Sequence, residues 1–202
     1  MNVVESIKGS LSNNEEPIDI ARKIFLSYQT QAFTGREDIE YAIKNTIKDH
    51  LKIPFTSIHV VGSAKSGFSF FNQTLFTEGK SDLDISIISL ELYNRLLEIS
   101  HKKTSGFTDL SVFVEFRGKP THRQFLDGIK RGFFNPFFMP DCDEKREWFD
   151  FFRHLSNDHY NIFKNINAGV YSSEYFFEYK QAQCIEEFRG KVSLYDSLSS
   201  KI

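Results

Sequence analysis

The chain has 202 residues, a formal net charge of −2, 40% hydrophobic and 26% charged residues. These values describe a folding chain with enough apolar surface for a core, and they argue against a generally basic nucleic-acid-binding surface. No apolar run approaches membrane-spanning length and no basic-then-apolar leader opens the chain; the two cysteines, Cys142 and Cys184, lack metal-ligand spacing. Together these fit a reduced cytoplasm.

Residues 1–16 are polar, with Ser10, Ser12, Asn13, Asn14, Glu15 and Glu16 clustered, and read as a loose lead-in or a cap on the first helix. Pro17 suits a first helical position, and Ile20, Ile24, Phe25 and Tyr28 follow at helical spacing until Gly35. Ile39, Ile43, Ile47 and Leu51 form one stripe of a second helix, with Glu37 and Asp38 near its start and Lys48 and Lys52 near its end. Pro54 closes it. The β-branched run from Ile58 to Val61 predicts a buried strand. It stops at Gly62-Ser63, followed by Ala64, Lys65, Ser66 and Gly67.

A second strand is predicted over residues 82–88. Alternation puts Asp82 and Asp84 on one side. Two neighbouring carboxylates repel each other, so a fold holds them together through a hydrogen-bond network or a cation. Magnesium typically takes one or two carboxylates plus substrate phosphates. Glycine at position 62 permits close backbone approach to a phosphate, and Ser63 adds a hydroxyl donor.

After that strand Ser89 can cap a helix over residues 90–101. Ser105-Gly106 is a turn, and residues 110–116 read as a strand or a short helix. Thr121 can cap a helix ending at Gly132. Residues 133–140 (Phe133, Phe134, Asn135, Pro136, Phe137, Phe138, Met139, Pro140) are too proline-rich for a helix. They suit a groove of their own domain or, if exposed, a protein-partner patch. Asp141 or Asp143 can cap a helix carrying Trp148, Phe151, Phe152 and Leu155, broken by Asn157-Asp158. Residues 162–171 favour a strand. Ser172 or Ser173 opens a last helix over residues 174–189, in which Glu174 and Glu178 face solvent. Gly190 stops it, and residues 191–202 form a frayed tail. The expected architecture is α/β (α+β). A small mixed sheet lies in one domain over residues 17–190, with its core at 55–120 and a helical part at 121–190.

Gly62-Ser63, Lys65 and Gly67, then Ser81-Asp82-Leu83-Asp84 between apolar residues, resemble the signature of the DNA polymerase beta nucleotidyltransferase superfamily. The stretch covers about a sixth of the chain, and the second half resembles small bacterial nucleotidyltransferase-like proteins more loosely. The resemblance implies two Mg²⁺ (or Mn²⁺) ions held by Asp82 and Asp84, about 3.5–4 Å apart in such sites. It implies a triphosphate on Gly62 and Ser63, with Ser81 beside them. The reaction would carry a nucleoside monophosphate from an NTP to a protein, tRNA or nucleotide acceptor. A toxin–antitoxin or phage-defence setting is implied in the same way. Lys65, Ser66 and Lys80 are candidates for holding phosphate. Eighteen residues separate Ser63 from Asp82, a longer linker than usual, which suggests an inserted loop over residues 70–80. The family's third carboxylate stands on a later strand beside the first two, and Glu115, between Val114 and Phe116, has the matching context. Without such an acid catalysis would be weakened or absent, and the alternative is an inactive module that binds a nucleotide or a protein partner for regulation. His154 and His159 have no further ligands at metal spacing, Cys184 has no partner histidine, and Ser63 lacks a Gly-x-Ser-x-Gly elbow.

Overall fold

In the computed structural model, which describes residues 3–192, the strand that bears Asp84 and follows Asp82 runs through the middle of a four-stranded mixed sheet. Its strands are β1 (Ile58–Val61), β4 (Leu83–Ile88), β7 (Phe133–Phe134) and β8 (Ile166–Tyr171), in the order β1-β4-β8-β7. β4 pairs antiparallel with β1 and parallel with β8, which sets Asp84 opposite Val61 on one side and Asn167 on the other. β7 pairs antiparallel with β8. The fold is α+β, with eight α-helices among the described residues.

Strand alternation divides the sheet between two cores. Ile58, Val60, Leu83, Ile85, Ile87, Ile166 and Val170 point into the first, against α3 (Glu37–Leu51), α5 (Leu90–Lys103), α6 (His122–Lys130) and α7 (Asp143–Asp158). Val61, Ile88, Phe133 and Tyr171 point into the second. That core is closed by α1 (Val3–Ser12), α2 (Pro17–Ala21) with its π-helical continuation Arg22–Ser27, and α8 (Glu174–Arg189). α8 covers only part of this face. Its Phe177 ring packs 5.6 Å from His59 and 5.5 Å from Tyr171, towards the Tyr171 end. At the other end Asp84 and Asn167 are exposed.

Several expectations are met. Pro17 opens α2, Ser89 caps α5 by accepting from the Leu92 amide at 3.2 Å, and Gly132 adopts φ +62 just past α6. Others are corrected. The N-terminal stretch is not a loose lead-in: α1 buries Val3, Val4 and Ile7, an apolar i, i+3/i+4 stripe hidden among polar neighbours. The hydroxyl of Thr121 donates to the Val114 carbonyl instead of capping α6, and Cys142, not an aspartate, occupies the cap of α7. Residues 110–116 form turns, with only Glu115–Phe116 in a strand, β5, paired with β6 (Lys119–Pro120). The expected inserted loop over residues 70–80 holds the turn and second strand of a hairpin that begins before it, β2 (Phe68–Ser69) pairing with β3 (Thr74–Leu75), anchored by Phe70 against Phe188. Glu178 is buried, held by Arg22 through Nε at 2.6 Å and Nη2 at 3.0 Å.

The aromatic stretch 133–140 is folded inward. Phe134 and Met139 are fully buried, and the Phe133 ring occupies the space beside Gly169, where a Cβ would meet it at 2.5 Å. Of its large side chains Phe137 alone is exposed, edge-on to Phe116 and Phe149. What the stretch leaves at the surface is the Phe137 ring, with the exposed rings of Phe116 and Phe149 beside it. Lys191 and Val192 are described, while the remainder of the expected frayed tail lies outside the described residues. Among the described residues no helix is long and apolar enough to cross a membrane.

Candidate active site

β1 ends where the chain must turn sharply into the short helix α4 (Gly62–Ser66). Gly62 makes that turn with φ +66, a left-handed conformation that L side chains rarely adopt. A second constraint acts at the same atom. A Cβ on Gly62 would lie 2.6 Å from Oδ2 of Asp84, closer than real contacts allow. The glycine of the first motif and the second aspartate of the other are thus packed directly together, joined by the β1–β4 pairing. This contact explains why the glycine is needed here even before any ligand is considered.

Asp82 and Asp84 flank Leu83, whose side chain goes into the opposite core. Solvent reaches Asp84 on its open side, but protein walls the rest. That burial, followed by the charge of Asp82, pushes the Asp84 carboxyl up to about 6. Among the described residues no ion pair or hydrogen bond reaches the Asp84 carboxylate. Asp82 accepts a hydrogen bond from the side-chain amide of Asn165 at 2.9 Å. The backbone of Asn165 also accepts from the Leu83 amide at 2.8 Å, so this residue clasps the start of β4 twice. A carboxylate pair facing solvent, with no ion pair to it among the described residues, has the donor chemistry for a hard divalent ion. The residues present therefore fit a Mg²⁺ or Mn²⁺ ion at Asp82 and Asp84.

Ser63, half-buried, stands beside Gly62 at the start of α4, whose first amides lack partners within the helix. The other predicted residues are placed differently. Lys65 is buried and its ammonium donates to the Tyr28 carbonyl, facing the N-terminal helices. Burial pushes it down to about 8, with Glu40 opposing and Lys44 adding to the shift. Ser66 is fully buried, its hydroxyl shared between the carbonyls of Gly62 and Phe68. Ser81 accepts from the Thr77 amide at 2.9 Å and closes the loop before the strand. Lys65 and Ser66 therefore shape the turn from inside, whereas Lys80 is exposed.

Glu115 does not take the third place. It sits exposed in the β5–β6 hairpin, which pairs with no strand of the four-stranded sheet. Among the described residues no three His, Cys, Asp or Glu side chains are placed to share one metal ion. The later strand beside β4 is β8, and its residue in register with Asp84 is Asn167. Asn165 and Asn167 are the site residues that sequence reasoning missed. Their signal was present: Asn165, Asn167 and Gly169 alternate with Ile166, Ala168 and Val170, so they mark the polar face of a predicted strand.

His59, on the same face as Asp84, lies under Phe177. Burial, with Lys44 and Lys65 nearby, pushes it down to about 4, so it is neutral at physiological pH. No family model, curated protein or solved structure matches the chain.

Proposed function

We propose that this chain binds a nucleoside triphosphate with a divalent cation and transfers the nucleoside monophosphate to an acceptor hydroxyl. The contact between Gly62 and the Asp84 carboxylate carries this reading, because it joins a phosphate-compatible turn to an unpaired carboxylate pair. Asp82 and Asp84 would hold the cation, which supplies charge neutralisation to the triphosphate. Ser63 Oγ and the amides after Gly62 offer donors to the phosphates. The acceptor oxygen forms a bond to the α-phosphorus as the bond to the β-phosphate oxygen breaks. Pyrophosphate leaves with that electron pair, and the hydroxyl proton is released. Lys65 takes no part, being committed to Tyr28.

The amide at position 167 favours a second reading, in which the same site binds the nucleotide for regulation without transferring it. Incubation with each α-labelled NTP and Mg²⁺ or Mn²⁺, with and without cell lysate, separates the two. Transfer predicts label on protein, RNA or a small nucleotide, abolished in the Asp82→Ala/Asp84→Ala protein. Metal-dependent NTP binding without label transfer supports the regulatory reading. Absence of both removes the site from consideration.

A further inference from the structure

Strand β8 contributes chemistry to the aspartate pair that neither aspartate motif contains. Asn165 donates its side-chain amide to Asp82 and accepts the Leu83 amide on its backbone oxygen. Asn167 follows two residues later on the same face, in parallel register with Asp84. Neighbouring strands lie about 4.8 Å apart, so its side chain stands immediately beside that carboxylate. The paired positions either side agree with this placement: Ile166 with Leu83, and Val170 with Ile87, point into the opposite core.

We propose that β8 completes the site with two amides, Asn165 positioning Asp82 and Asn167 offering a neutral oxygen beside Asp84, and that the site takes a single divalent cation. This rests on the reading that Asp82 and Asp84 bind a cation with a nucleotide. Charge and geometry carry the argument. Asn165 restricts one carboxylate to a single orientation, leaving Asp82 Oδ2 and the Asp84 oxygens for the ion. Groups that orient ligands in this way typically contribute 10–100-fold to metal affinity. A second ion sharing both aspartates would find no further anionic oxygen at the neighbouring position of β8. The neighbouring position on β8 supplies an amide carbonyl, which can ligate a hard cation but adds no charge.

Manganese titration followed by electron paramagnetic resonance tests this on the full chain, with α,β-methylene analogues of the four NTPs present. Wild type should bind one Mn²⁺ per chain. Asn165→Leu, which keeps the backbone bond to Leu83, should weaken Mn²⁺ at least about tenfold while the thermal midpoint shifts no more than for an ordinary surface substitution. Asn167→Asp should bind a second ion, a gain that a merely structural residue would not produce. Two ions in wild type, unchanged affinity in Asn165→Leu, or one ion in Asn167→Asp overturns the inference while leaving the cation site standing. Wild-type binding no different from that of Asp82→Ala/Asp84→Ala overturns the cation site itself.

Discussion

At the scale of single residues the site is defined by what Gly62 excludes. Gly62→Ala would force a Cβ into a left-handed backbone position and against Asp84 Oδ2 at 2.6 Å. The expected cost is about 1–3 kcal/mol of folding stability by denaturant titration. Displacement of the carboxylate should also reduce nucleotide affinity at least about tenfold, a loss of about 1.4 kcal/mol. Lys65→Met should behave otherwise. Because the ammonium faces Tyr28, NTP affinity by calorimetry should be unchanged, whereas a phosphate ligand would lose it.

Asp84 makes a pH prediction. Its carboxyl is raised from 3.8 to about 6, so between those values the native state holds a proton that the unfolded chain has released. Its contribution to stability is therefore full below about 4 and is lost as pH rises through about 6. His59 works in the opposite sense: lowered from 6.5 to about 4, it favours the native state above 6.5 and loses that contribution as pH falls through 4. Comparing thermal midpoints of wild type and Asp84→Asn cancels the histidine. Wild type should match the variant near pH 4 and fall below it by pH 7. Parallel curves would show that Asp84 is not raised.

The residues that were legible and those that were not differ in their physics. Asp82 and Asp84 could be assigned to one face because strand alternation is local. The inward turn of Lys65 could not, because its partner Tyr28 lies 37 residues away and comes from an irregular helix end.

At the scale of elements, α1 shows how a short apolar stripe is missed within a polar segment. Val3, Val4 and Ile7 are only three residues, yet each is almost fully buried against the second core. Ile7→Ala should cost about 2–5 kcal/mol in urea unfolding. A loose lead-in would show a change within about 0.5 kcal/mol. The helices with long stripes, α3, α5 and α7, were readable from periodicity, as were β1, β4 and the existence of β8. The turns over residues 110–116 were not, because alternating Val112, Val114 and Phe116 satisfy a strand pattern while having no strand partner long enough to use it. The third site position was hidden for a related reason. Pairing of β8 with β4 joins residues about 80 positions apart, and only that register sets Asn167 beside Asp84.

At the scale of the whole molecule, the sheet has one face fully occupied and one only partly covered. α8 shields the Tyr171 end of the second face and is tied to the N-terminal helices through Arg22 and Glu178. The Asp84 end stays open, which leaves a charged site accessible on an otherwise packed sheet. The mixed α+β class followed from the pattern of strands and helices, but the division of the sheet between two cores required the register. The account stands on the claim that this open end is a cation-dependent nucleotide site. Its most direct test is calorimetric titration of each NTP into the full chain with Mg²⁺, with EDTA, and into the Asp84→Asn variant. The account predicts binding of at least one NTP that is lost both on chelation and on substitution. Binding that survives both, or no binding of any NTP with Mg²⁺ present, would contradict it.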